Sequence, residues 1–172
     1  LAEVIAQTQA GDKRLQERSE YAITRARRGV PLPLSFAQER MWFLYQLSPE
    51  AVAYNIPASV RLHGPLNKPA LRWAVGELVR RHEALRTTFA QVDGQPRQII
   101  HDLLDPIWVE EDLRGTAAEL REPHALDLAT AEARRPFNLE RGPLLRVLLI
   151  QIGDEDHVVV LNTHHIISDQ WS

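Results

Sequence analysis

The 172-residue chain has no cysteine. That excludes disulfides and thiolate metal sites and suits a reducing compartment, so a cytoplasmic protein is expected. No apolar run approaches the ~18 residues a membrane-spanning helix needs. No charged-then-apolar signal segment opens the chain. Neither sign of charge dominates: the formal net charge is −3, which argues against a general nucleic-acid surface. Internal repeats and low-complexity tracts are absent. The chain opens on Leu1 rather than methionine and stops soon after a motif begins, which together suggest a piece of a longer polypeptide. What is present is ordinary for a soluble globular domain, with 44% hydrophobic and 25% charged residues. The length suffices for one domain with a real core.

Residues 1–30 are polar and mixed in charge, with Gly11 interrupting any long helix. They read as a linker with one or two short helices, and Arg25, Arg27 and Arg28 as a solvated face. Val30-Pro-Leu-Pro-Leu34 is extended, because each proline disfavours helix before it. Ser35 and Gln38 fit a capping box. The helix they open should bury Phe36, Met41, Leu44 and Leu47, with Trp42, Phe43 and Tyr45 widening the apolar face.

Residues 54–62 read as a strand, with Ile56, Ala58 and Val60 on one side and Pro57 marking a start, edge or bulge. Asn67 and Pro69 open a second helix, whose Leu71, Val75, Leu78, Val79 and His82 follow helical spacing. Asp93-Gly94-Gln95-Pro96 between two apolar runs signals a hairpin. Residues 107–109 suggest another strand. Residues 114–135 are helical in part, broken near Pro123. Residues 144–152 and 157–163 form an antiparallel pair across Gly153-Asp154-Glu155-Asp156. The pattern predicts an α/β fold of the α+β sandwich kind, a mixed sheet with packed helices.

The stretch that gathers chemistry is the last one, Asn162 to Ser172. His164 and His165 follow the β-branched run 157–161, where a buried strand ends and a loop leaves it. Ser168 reads as the N-cap of a helix from Asp169. Adjacent strand residues point to opposite faces, so the two histidines should have different jobs. A neutral imidazole can act as a base near neutral pH. Asp169 can orient a histidine or pair with a buried arginine. Too few ligands gather nearby for a metal site, and none is expected.

His164-His-Ile-Ile-Ser-Asp169 resembles the His-His-x-x-x-Asp-Gly motif of nonribosomal peptide synthetase condensation domains. Ser35-Phe-Ala-Gln-Glu-Arg-Met-Trp-Phe-Leu44 resembles the family's opening motif, and Arg81-His-Glu-Ala-Leu-Arg-Thr-Thr-Phe89 its second. Residues 54–57 and 135–145 resemble its connecting stretches. The resemblance covers about residues 30 to 172, and the order of the segments is what makes it specific. The wording is most similar to the subtype that joins an L-configured donor to an L-configured acceptor.

The resemblance implies a chloramphenicol-acetyltransferase-like architecture of two α/β lobes with the active site between them. Residues 31–172 would be the N-terminal lobe, without the second. It implies no bound cofactor, because substrates arrive on the phosphopantetheine arms of donor and acceptor peptidyl carrier proteins. An adenylation domain is expected in the same polypeptide. The acceptor amine attacks the donor thioester carbonyl, and the peptide grows. His165 is then the functional histidine, as base or as the group that holds the amine. His164 is structural, and Asp169 shapes the site through an ion pair with Arg86, or failing that Arg81. Gln170 departs from the family glycine, where positive φ or close approach is the usual need. It would project beside the histidine. The alternative is a degenerate, non-catalytic domain that docks carrier proteins. The isolated chain is expected to be inactive. An aspartate-rich motif replaces the histidine pair in heterocyclisation relatives, which disfavours that variant.

Overall fold

The structure, a computed structural model, describes residues 26–27 and 29–169. Gln170, the helix expected from Asp169 onward and most of residues 1–30 lie outside them. Four strands make the main sheet: β2 (Asn55–His63), β5 (Ile107–Asp112), β6 (Leu145–Gly153) and β7 (Asp156–His164). Their order is β2-β7-β6-β5. β7 runs antiparallel to both neighbours, while β5 is parallel to β6. A parallel pair needs a crossover, and α3 (Ala118–Ala133) supplies it. The expected mixed sheet and the 144–163 hairpin are therefore present.

β6 is buried on both faces, and this explains its near-continuous apolar run. One face packs Leu145, Val147 and Leu149 with Val75 and Val79 of α2 (Lys68–Arg81). The other packs Leu148, Ile150 and Ile152 with Ala125 of α3. Asn67 caps α2 by accepting from the Ala70 amide at 3.0 Å, as its position before Pro69 suggests.

A smaller sheet of order β1-β4-β3 stands apart in pairing: β1 (Leu32–Pro33), β3 (Thr87–Val92) and β4 (Gln95–Ile100). Asp93 and Gly94 connect β3 to β4 with φ of 52° and 76°. Two successive left-handed residues suit the twist of a tight hairpin, and Asp-Gly reaches them at low cost. A third core cluster joins Leu34, Trp42, Phe89, Phe137, Leu139, Leu144 and Ile166. It ties this sheet, α1 (Phe36–Leu47) and the loop after β7 together.

Three expectations fail in detail. Phe36 and Leu47 do not face the core; they are 92% and 67% exposed. α1 is rotated so that Gln38, Met41, Trp42 and Tyr45 point inward, because the Trp42 ring buries the larger apolar area. By contrast, β2 is the edge strand that Pro57, lacking an amide hydrogen, points to, with Ala58 and Val60 exposed on it. Pro123 does not break the helix: α3 runs through it. The packing of Ala125, Leu128 and Ala129 on the sheet outweighs the lost backbone bond. In α2, Leu78 and His82 are exposed and Val75 and Val79 carry the buried face.

Candidate active site

β7 ends on His164, held between β2 and β6. The His164 amide donates to the Leu144 carbonyl at 3.2 Å, and the His165 amide to the Tyr54 carbonyl at 2.8 Å. Residues 165–167 then turn. The strand thus delivers the two imidazoles into different surroundings.

His164 is buried. Its ring lies 6.2 Å from Tyr54 and edge-on to Phe137 at 6.0 Å. It borders a cavity of about 30 Å³ with Met41, Tyr45 and Ser48, room for a water molecule. Nδ1 of His164 accepts from the Ile166 amide at 3.1 Å, so the proton of the neutral ring sits on Nε2. Burial, with a smaller contribution from His165, pushes its pKa down to about 4. His164 is neutral across the physiological range.

His165 is half-buried. Its Nδ1 lies 2.8 Å from the Ser168 carbonyl. A carbonyl only accepts, so Nδ1 carries the proton and donates. In the neutral ring Nε2 then keeps its lone pair and can accept a hydrogen bond from a neighbouring group. The carbonyl of Ile166, next in the chain, accepts from Gln38 Nε2 of α1 at 3.3 Å.

A polar network supports this end of the sheet from below. Arg146 of β6 is only 3% exposed. Its Nε donates to the Glu132 carboxylate, and its Nη atoms donate to the carbonyls of Arg135 at 2.6 Å and Pro136 at 3.1 Å. A buried cation at the end of α3 also meets the negative end of that helix. The guanidinium carbon stands 3.6 Å from the centroid of Phe137, the ring that touches His164. Desolvation lowers the Arg146 pKa, and Glu132 opposes this. Asn162 Nδ2 donates to the Glu132 carbonyl at 2.8 Å, and Asn55 Nδ2 to that of Ala133 at 2.8 Å. Sequence reasoning missed this network. The signal was a lone arginine inside the apolar run 144–152.

Arg86 closes a 3₁₀ turn, Glu83–Arg86. Its side chain donates to the His101 carbonyl, and Glu83 is the carboxylate beside it, at 3.7 Å. Its Nε–H is buried without a hydrogen-bond partner among the described residues. Arg81 makes a surface pair with Glu77 at 2.8 Å. Asp169 is exposed, just beyond the turn.

The condensation-domain family model matches residues 31–172. The chain is 50% identical over 145 residues to one of the linear gramicidin synthase subunits of Brevibacillus parabrevis, covering 84% of this chain and 2% of that protein. It is 48% identical over 142 residues to phosphinothricin tripeptide synthetase of Streptomyces viridochromogenes, covering 83% of this chain and 13% of the relative. The starter condensation domain of rhizomide synthetase superposes with a TM-score of 0.74 at 26% identity, over 83% of this chain and 34% of that one. The first condensation domain of the calcium-dependent antibiotic synthetase, solved with a substrate analogue, gives 0.70 at 26% identity, over 80% and 33%. The chain therefore spans a small part of its curated relatives and about a third of these structures. The fold is the chloramphenicol-acetyltransferase-like one of those neighbours. By sequence and by fold, this chain belongs to the condensation-domain family of nonribosomal peptide synthetases.

Proposed function

We propose that residues 31–172 are the N-terminal lobe of a condensation domain that forms a peptide bond between two carrier-bound substrates, with His165 as its functional histidine. The observation that carries this is the tautomer of His165. Its Nδ1–H is committed to the Ser168 carbonyl, so Nε2 is the free acceptor. The acceptor amine attacks the donor thioester carbonyl, a C–N bond forms, and the C–S bond breaks. His165 Nε2 takes or holds the amine proton, which ends on the departing thiol. His164 contributes structure: buried, neutral and bound through Nδ1 to the Ile166 amide, it has no free lone pair to offer.

Residues 1–30 act as the upstream segment. Donor and acceptor peptidyl carrier proteins deliver the substrates on phosphopantetheine arms, and an adenylation domain belongs to the same cytoplasmic polypeptide. Asp169 shapes the site, and Arg86 is the arginine the motif assigns to it, although in this structure its side chain meets the His101 carbonyl and Glu83. The 172 residues supply one wall of a cleft and are inactive alone. A chain spanning 34% of a structural neighbour is consistent with one lobe of two.

The test is condensation by a complete domain carrying this lobe, with both carriers loaded. His165→Ala should abolish dipeptide formation while carrier binding persists. Gln170, where the motif has glycine, favours a second reading, a docking domain without chemistry. Carrier binding with no His165-dependent product would establish that reading instead.

A further inference from the structure

Gln38 is the third residue of α1, and its side chain does two things. Its Oε1 accepts from the Ser35 amide at 2.9 Å, while Ser35 Oγ accepts from the Gln38 amide at 3.3 Å. That is a reciprocal capping box. On its other side, Nε2 donates to the Ile166 carbonyl at 3.3 Å, across 128 residues of sequence. The amide orientation is not arbitrary. The Ser35 partner can only donate and the Ile166 partner can only accept, so oxygen and nitrogen are each fixed by chemistry.

Capping alone does not call for glutamine. Glutamate serves the capping box equally, and its charge suits the positive end of the helix better. What glutamine adds is a donor, and the structure spends that donor on the turn after β7. Ile166 sits between His165 and Ser168. Its side chain is buried in the cluster with Trp42 of the same helix as Gln38. Its amide donates to His164 Nδ1, and the Ile167 amide donates to the His164 carbonyl at 3.1 Å. The His165 ring is tied to the far end of the turn, at Ser168. The Gln38 bond grips the middle.

We propose that Gln38 is a positioning residue for His165: its carboxamide oxygen caps α1 while its NH2 group clamps the Ile166 carbonyl and fixes the turn that orients the imidazole. The catalytic consequence rests on the functional reading given above; the clamp itself does not.

The decisive variant is Gln38→Glu. It keeps the cap and sets a carboxylate against a carbonyl, two acceptors with no proton between them. In a complete condensation domain containing this lobe, the single-turnover rate should fall roughly ten- to a hundredfold, the scale of losing about an ångström of registry. KM for the loaded carriers should stay within about twofold and the melting temperature near wild type, since cap and core are intact. Gln38→Ala should lower both rate and melting temperature. In long-range ¹H–¹⁵N spectra of the full chain, Gln38→Glu should move the His165 ring nitrogens and leave those of His157 in place. A wild-type rate in Gln38→Glu, or unmoved His165 resonances, overturns the clamp. So does a loss of rate matched by an equal loss of melting temperature in both variants, which is the mark of a cap alone. If the wild-type domain itself shows no His165-dependent product, the functional reading fails, and the His165 resonances still decide the clamp.

Discussion

Nδ1 of His164 accepts a proton-bearing amide, that of Ile166, while Nδ1 of His165 donates to a carbonyl, that of Ser168. Two adjacent imidazoles are thereby held in opposite tautomers by one short turn. The difference is backbone chemistry: the turn presents an amide to the first ring and a carbonyl to the second. Nitrogen-detected spectra near pH 8 should show protonated Nε2 in His164 and protonated Nδ1 in His165. The same tautomer in both rings would remove the basis for assigning them separate roles.

The burial of His164 carries a pH dependence. Its folded pKa of about 4 lies below the ordinary histidine value of 6.5, so the unfolded chain binds the proton more readily. The stabilisation is fully present above pH ~6.5 and is lost as pH falls toward ~4, where the folded ring titrates too. A shift of this size corresponds to about 3 kcal/mol. Urea denaturation between pH 7 and 4, compared with His164→Asn, should show the wild type losing roughly that much more. Parallel curves for the two proteins would contradict it.

Arg146 and Glu132 should behave as a buried pair. Arg146→Met leaves Glu132 with one weaker partner, Arg135 at 3.4 Å, and Glu132→Gln strips the guanidinium of its counter-charge. Each single change is expected to cost about 3–5 kcal/mol, and the double change Arg146→Met with Glu132→Gln less than their sum. Because Phe137 lies between Arg146 and His164, Arg146→Met should also shift the His164 ring resonances. Additive losses in chemical denaturation would show that the two side chains do not act as a unit.

Much of this was legible in the sequence wherever one local rule decides. Asp93-Gly94 announces the hairpin because few other residues tolerate two positive φ values in succession. Ser35 and Gln38 announce the cap, and the β-branched run before His164 announces its strand. Less was legible where distant contacts decide. Pro123 obeys the sheet beneath α3 rather than its own preference. The second bond of Gln38 spans 128 residues, and no local pattern encodes it. Arg146 was visible as a charge in an apolar run, but its partner Glu132 sits on a helix whose course the proline obscured.

The rotation of α1 was the hardest feature to read, because apolar residues occupy every face of Phe36–Leu47. The structure makes a sharp distinction within it. Trp42 is 7% exposed and shares a core cluster with Ile166 of the histidine turn, whereas Phe36 is 92% exposed. Trp42→Ala should therefore cost about 3–5 kcal/mol, the usual penalty for emptying a buried aromatic site. It should also loosen the turn, which amide exchange at Ile166 and Ile167 would register. Phe36→Ser should change stability by no more than about 0.5 kcal/mol, as surface substitutions do. Had the helix faced the other way, the ranking would invert, so denaturation of these two variants fixes which side of α1 holds the histidine turn in place.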